Sequence, residues 1–228
     1  MTTPGPRSKS QPRPQVERTS RRRGRELALQ VLFSLDMVPP ESAQAVNAAL
    51  YRSRERSLIA EAELGFMSND LERAQKATEA LLKLDPRHAR GREYDKALKK
   101  TGPMPLPTGD DEREEHEAMA ASEEQLAFCD GATRGVMAAR DAIDTLITEV
   151  STNWRIGRMA LVDRNLLRLA TWELMEAPET PVRVILNEAI EIAKRFGTQD
   201  SRAFINGLLD RVAGRVRPGS TDGGPRNG

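Results

Sequence analysis

The amino-acid sequence predicts an all-α protein, and three observations support this prediction. Apolar residues recur at helical spacing in several segments, whereas the alternating pattern of a β-strand occurs nowhere in the 228 residues. Capping residues and prolines mark the ends of these segments. Only 38% of the residues are apolar and 4% are aromatic, so part of the chain is predicted to lie outside a packed core.

The N-terminal region predicts a basic arm followed by a helix. Residues 1–19 contain four prolines among polar residues and are predicted to be disordered when free. A helix is predicted from about Ser20 to Pro39, with Leu27, Val31 and Leu35 on its apolar face. Its first turns carry arginines, although the helix macrodipole favours negative charge there. This placement indicates a role other than helix stability for Arg21, Arg22, Arg23 and Arg25.

The middle of the chain is predicted to be a helical insertion and a linker. Residues 41–100 are rich in Ala, Glu, Arg and Leu, and residues 64–86 resemble one tetratricopeptide unit. Because no second copy is evident and isolated repeats are seldom stable, a charged helical hairpin is the alternative. Residues 101–121 combine Pro, Gly and acidic residues and are predicted to be a solvated, flexible linker.

From about residue 122 to residue 217 the helical pattern returns. One stripe from Val136 to Val150 predicts a single helix, and Asp163 is the expected N-cap of the next one. Two further helices follow Thr180 and meet at Gly197, which is expected to be left-handed. Gly207 is expected to permit close helix packing. Trp154 and Trp172 are expected in the core, and residues 218–228 are predicted to be a disordered tail.

Three segments resemble the NusB family of transcription antitermination factors. They are residues 21–37, 153–174 and 181–212, and the ordered wording NEAIEIAK, FG and FINGLLD in the last is the most specific part. The resemblance covers about half of the chain and implies two packed helical bundles. It also implies that the protein binds single-stranded boxA-type RNA together with NusE, a ribosomal small-subunit protein. The resulting complex acts on RNA polymerase and promotes processive transcription of rRNA operons.

The predicted RNA-binding residues fall into two groups. Arginines at the start of the first helix suit phosphate contacts and stacking on unpaired bases. The resemblance adds the corner between the last two helices, where backbone N–H groups could receive a phosphate. For Phe196 and Gly197 in this corner, core packing and helix capping are the alternatives. The full set is Arg21, Arg22, Arg23, Arg25, Gln30, Phe33, Phe196, Gly197, Thr198, Gln199 and Asp200.

A protein contact is predicted at Asp163 and Arg164. The resemblance implies that Asp163 occupies an acidic position through which the family contacts NusE, and Arg164 lies beside it. A simple capping role is the alternative for Asp163. The sequence leaves open whether the free protein is a monomer or a homodimer.

Neither catalysis nor a cofactor is predicted. His88, His116 and Cys129 show no metal-ligand spacing, and no phosphate-binding loop or nucleophile motif occurs. One cysteine and the lack of an apolar span of about 20 residues favour a cytoplasmic protein. Two alternative functions are a stand-alone RNA-binding module related to the N-terminal domain of rRNA cytosine methyltransferases, and a protein-interaction adaptor that uses the helical insertion.

Overall fold

The computed structural model describes residues 15–37, 43–99, 110–151 and 154–219. Ten α-helices and one 3-10 helix lie in these ranges, and no strand occurs among them, which confirms the predicted all-α class. Of the predicted tails, residues 1–14 and 220–228 lie outside the described residues, as do residues 100–109 of the predicted linker. The helices are α1 Gln15–Met37, α2 Ala43–Met67, α3 Leu71–Leu84, α4 Ala89–Lys99, α5 Asp110–Met119, α6 Glu123–Ala138, α7 Arg140–Val150, α8 Leu161–Glu176, α9 Val182–Phe196 and α10 Ser201–Val216, with the 3-10 helix at Ile156–Arg158.

Two hydrophobic cores organise these helices. The first core lies among α1, α2, α3, α4 and α6, and helix α8 contributes Leu169 to it. The inserted helices are therefore part of this core rather than an appendage. Their buried side chains pack with those of α1 and include Leu58, Phe66, Leu81 and Tyr94.

A close helical hairpin joins α2 and α3. Asn69 takes a left-handed conformation in the turn (φ 56°), and the Asp70 carboxylate caps α3 by accepting the backbone N–H of Arg73 at 3.0 Å. Gly65 allows the two helices to approach, since a Cβ there would lie 2.5 Å from the backbone nitrogen of Ala74. Residues 64–86 thus form the helical hairpin that both sequence interpretations require.

The second core is formed by α7, α8, α9 and α10, with Leu29 added from α1. The predicted single helix from Val136 to Val150 is wrong, because the chain bends at Ala139 (φ −101°, ψ 12°) between α6 and α7. The bend lets one apolar stripe serve both cores: Val136 packs in the first and Ile143 in the second. Trp172 is half-buried between the cores and contacts each of them, as predicted for a core residue.

The acidic stretch is helical rather than a solvated linker over Asp110–Met119. This helix, α5, packs against α2, where the side chain of His116 pairs with the carboxylate of Glu63. The same carboxylate accepts the hydroxyl of Tyr94 and pairs with Arg90. Tertiary contacts with α2 therefore order a segment whose composition indicates solvation. Helix α1 also begins at Gln15, earlier than predicted.

Four local expectations are corrected. Asp163 is not an N-cap, because α8 already begins at Leu161. Gly197 is extended rather than left-handed, and its small size matters because a Cβ would lie 2.7 Å from the Ala193 carbonyl oxygen. A Cβ on Gly207 would meet nothing within 4 Å, so this glycine does not serve close helix packing. Trp154 is 55% exposed and lies outside the core.

Candidate nucleic-acid interface

Helices α1 and α9 run in the same direction and are joined by two ion pairs. The guanidinium of Arg22 donates to both carboxylate oxygens of Glu188, at 2.7 and 2.8 Å. One turn further along α1, Glu26 accepts from Arg195 at 3.0 Å, next to the end of α9. Because the four residues from Arg22 to Glu26 rise about 6 Å along α1, the two predicted groups of RNA-binding residues lie on adjacent parts of one surface.

The exposure of the arginine side chains falls from Arg22 to Arg25. Arg21 is half-buried and has no ion pair with the described residues. The side chain of Arg22 is 40% exposed, and its hydrogen bond with Glu188 raises its pKa. Arg23 is largely buried, which lowers its pKa, and it donates to the carbonyl of Ala120 at 3.2 Å and pairs with Glu26. Arg21 and Arg22 are therefore the members of the run that a ligand can reach.

Arg25 belongs to the interior. Its guanidinium donates to both oxygens of Glu173 at 2.8 and 2.6 Å, and its carbon lies 5.3 Å from the centre of the Phe128 ring. Both members of the ion pair are buried. This bidentate pair ties α1 to α8, so we remove Arg25 from the RNA-binding candidates and assign it to stability.

The α9–α10 corner has three exposed residues. Thr198, Gln199 and Asp200 are exposed, and the Thr198 N–H donates to the Ser201 hydroxyl at 2.8 Å. Phe196 is half-buried against the second core, with the Arg195 guanidinium 5.2 Å from its ring centre. Phe196 thus packs against the core while part of its side chain stays at the surface.

Gln30 and Phe33 continue the face of α1 that carries Arg22 and Glu26. Spacings of four and three residues place these side chains on one side of a helix. Gln30 is exposed and Phe33 is half-buried. Gln30 therefore lies one turn beyond the Arg195 contact, beside the corner.

Asp163 and Arg164 are enclosed by the protein. Asp163 is 7% exposed, and no donor among the described residues reaches its Oδ1 oxygen. Arg164 donates to Asp36 at 2.6 and 2.9 Å, and its side chain is 14% exposed. The expected partner contact at Asp163 is therefore not accessible in this conformation.

The carboxylate of Asp36 accepts several hydrogen bonds, although the sequence analysis did not identify Asp36 as important. Its carboxylate accepts from Arg164, Asn165 and Arg168, and Arg168 also pairs bidentately with Asp144. Burial disfavours the charged form of Asp36, but the hydrogen bond from Arg164 and the charge of Arg168 outweigh it and hold its pKa below the usual range. The only feature of the sequence that points to this network of Asp36 is a charged residue at the end of the apolar face of α1.

The described residues contain neither a cluster of metal ligands nor a helix that could span a membrane. No three or more His, Cys, Asp or Glu side chains there are grouped so that they could hold a metal ion. Within the same ranges, no helix is long and apolar enough to cross a membrane. Cys129 is buried, and burial raises the pKa of its thiol to about 11.

The two helical cores and the arginine-lined corner define an all-helical protein with a basic, partly aromatic surface. Residues 106–214 match the model of the NusB family. The transcription antitermination protein NusB of Sorangium cellulosum is 54% identical over 96 residues, which cover 41% of this chain and 69% of that protein. NusB of Geobacter sulfurreducens is 55% identical over 87 residues, or 38% and 63% of the two chains. The chain belongs to the NusB family.

The similarity to NusB proteins covers only part of this chain. The family model begins at residue 106, so α1 and the inserted helices α2–α4 lie outside it. The chain spans about two thirds of the length of the curated relatives, with 66% for NusB of Anaeromyxobacter dehalogenans. A solved structure of T. maritima NusB is similar at a TM-score of 0.40 and 28% identity, covering 70% of this chain and 89% of that one.

Proposed function

We propose that this chain is a transcription antitermination factor that binds single-stranded boxA-type RNA together with NusE and promotes processive transcription of rRNA operons by RNA polymerase. The observation that carries the proposal is the pair of contacts Arg22–Glu188 and Arg195–Glu26. They bring the arginines of α1 next to the α9–α10 corner. Family membership supports the same conclusion, since the curated relatives are antitermination proteins.

The RNA-binding surface that we propose is smaller than the set predicted from the sequence. Its cationic part is Arg21 and Arg22, because Arg23 and Arg25 are engaged inside the protein. Arginine combines phosphate contacts with stacking on unpaired bases, which suits a single strand. The remaining members are Gln30, Phe33, Phe196, Gly197, Thr198, Gln199 and Asp200.

The NusE contact is proposed at the N-terminal end of α8. Ala160, which precedes α8, is exposed there, whereas Arg164 is held by Asp36 with only part of its side chain at the surface. Asp163 supports this end from inside, since a carboxylate in the first turn of a helix is favoured by the macrodipole. The alternative function as a protein-interaction adaptor is disfavoured, because the apolar faces of the inserted helices are buried in the first core.

The proposal is tested by the salt dependence of RNA binding. Arg22→Ala should weaken binding of boxA RNA and reduce the slope of log K against log salt by about 0.7, since one phosphate contact to a single strand is lost. Arg113→Ala is the matched control, because Arg113 is an exposed arginine paired with Glu117 on the acidic helix α5. Binding is measured by anisotropy of labelled boxA and scrambled RNA, with and without NusE.

The binding measurements distinguish the proposed function from its failure. Sequence-selective binding that NusE strengthens and Arg22→Ala weakens supports the proposal. Equal affinity for boxA and scrambled RNA, with or without NusE, would refute it. An unchanged salt slope in Arg22→Ala would remove the start of α1 from the interface.

A further inference from the structure

Trp154, which is exposed, and Phe204, which is half-buried on α10, form an aromatic pair outside the surface described above. Trp154 is 55% exposed, one of four large apolar side chains that are exposed in the described part of the chain. Its ring meets that of Phe204 edge to face, with the centres 5.6 Å apart and the planes at 69°. The contact fixes the indole on α10 while more than half of its surface stays open to solvent.

Three arginines close in sequence to this pair form no salt bridge with the described residues. Arg155 and Arg158 are exposed and follow Trp154 in the chain, and Arg202 is exposed two residues before Phe204. Their guanidinium groups form no hydrogen bond or salt bridge with the described residues. Elsewhere in this half of the molecule arginines are used internally, as in Arg168 with Asp144 and Arg217 with the carbonyls of α8. Arg155, Arg158 and Arg202 therefore carry positive charge that no salt bridge with the described residues takes up.

Gly207 adds an observation that the protein's own packing does not explain. A glycine inside a helix costs about 1 kcal/mol relative to alanine. A Cβ at Gly207 would meet nothing within 4 Å, so no neighbouring helix requires the glycine. Gly207 lies three residues after Phe204 and therefore on the same side of α10. The helix surface beside the aromatic pair is open to close approach from outside.

The aromatic pair is continuous with the α9–α10 corner. Asp200 precedes α10, and Phe204 follows one turn later, which is about 6 Å along the helix axis. A ligand that extends from the corner along α10 by this distance is therefore level with the aromatic pair. Accessible aromatic rings framed by cations are the arrangement that binds single-stranded nucleic acid with little dependence on sequence.

We propose that Trp154 and Phe204 form a base-stacking platform that continues the RNA path beyond the corner, with Arg155, Arg158 and Arg202 contacting its phosphates. This inference rests on the function proposed above and names residues that lie outside its site. Trp154 stacks one unpaired base that flanks the boxA segment. The platform adds affinity for longer RNA without adding sequence selectivity.

The test uses the full chain and two RNAs, boxA alone and boxA flanked by five uridines on each side. Trp154→Ala should bind the longer RNA about 5- to 150-fold more weakly, the range observed when a stacking aromatic is replaced by alanine. It should bind the short RNA nearly as well as the wild type does. Leu71→Ala is the matched control, because Leu71 is an exposed apolar residue (47%) on the inserted helix α3. Thermal unfolding of each variant checks that the fold is retained.

Fluorescence gives a second readout. Stacking of a base on Trp154 should quench tryptophan emission when the longer RNA binds. Trp154→Phe should remove this quenching, while Trp172, the other tryptophan, still emits. Since phenylalanine keeps a stacking face, its affinity should fall less than that of Trp154→Ala.

The failures of the two proposals are distinguishable. If the wild type binds boxA RNA and Arg22→Ala weakens it, but Trp154→Ala binds the longer RNA normally without loss of quenching, the platform is refuted and the proposed function stands. If Trp154→Ala leaves RNA affinity intact and weakens NusE binding, the pair is a protein contact and the inference is overturned. If neither RNA binds the wild type, with or without NusE, both proposals fall.

Discussion

The two hydrophobic cores have different origins in the chain. The second core is built from α7 to α10, within the residues that match the NusB family, and receives only Leu29 from α1. The first core combines α1 and α6 with the inserted helices α2, α3 and α4, which lie outside the match. The inserted helices nevertheless bury large side chains such as Phe66, Leu81 and Tyr94. The comparison teaches that sequence outside the recognisable family region can be essential to a domain's core.

The largest expected effect tests whether the inserted helices belong to the cooperative fold. Phe66→Ala should lower the free energy of unfolding by about 3–5 kcal/mol, since a buried aromatic side chain is lost from the first core. Leu209→Ala makes the matched change in the second core. Urea unfolding followed by circular dichroism should give a single transition for both variants. A separate early transition in Phe66→Ala, with the main one unchanged, would show that the insertion folds independently.

A smaller effect is expected where the two cores meet. Arg25→Ala should cost about 3 kcal/mol in urea unfolding, because it leaves the carboxylate of Glu173 buried without its partner. Arg22→Ala on the same helix should cost less, since the Arg22 side chain is 40% exposed and water can partly replace it. The double variant Arg25→Met with Glu173→Leu should recover most of the loss. Equal costs for Arg22→Ala and Arg25→Ala would contradict the interior role of Arg25.

The smallest effect concerns pH at the second link between the cores. The pKa of Asp36 is below its unfolded value of about 4, so its ionised form stabilises the fold above pH 4. That contribution is lost as the pH falls through the folded pKa. Asp36→Asn should therefore cost about 1–2 kcal/mol at pH 7 and flatten the loss of stability below pH 4. Asp130→Asn, at an exposed pair with Arg134, is the control and should leave the pH profile unchanged.

The sequence predicted α9 and α10 well because their signals are local, whereas it merged α7 with α6. Apolar spacing and the corner at Gly197 locate α9 and α10 without reference to any partner. The same reasoning placed the N-cap of α8 at Asp163, three residues after the true N-cap, Ala160. Asp163 therefore lies inside the first turn of the helix, where its side chain is buried. Helix boundaries depend on competing caps, and spacing alone does not decide among them.

The candidate site was predicted in outline rather than in detail. A run of four arginines gives no indication of which side chains turn inward, because the deciding carboxylates lie far along the chain: Glu188 for Arg22 and Glu173 for Arg25. Trp154 was expected in the core because tryptophan is mostly buried, but the described residues cover less than half of its side chain. The order of α5 likewise comes from its contact with α2.

The pairing of Arg25 with Glu173 also constrains the order of events during synthesis. The two residues are 148 positions apart, and a ribosome adds about 5–20 residues per second. For roughly 7–30 s after α1 is synthesised, Arg25 therefore has no carboxylate partner on the helix face that will be buried. Since α6 and Leu169 of the first core also arrive late, the N-terminal half has no completed core until most of the chain has been made. This protein should fold near the end of translation, and not from its N-terminus onward.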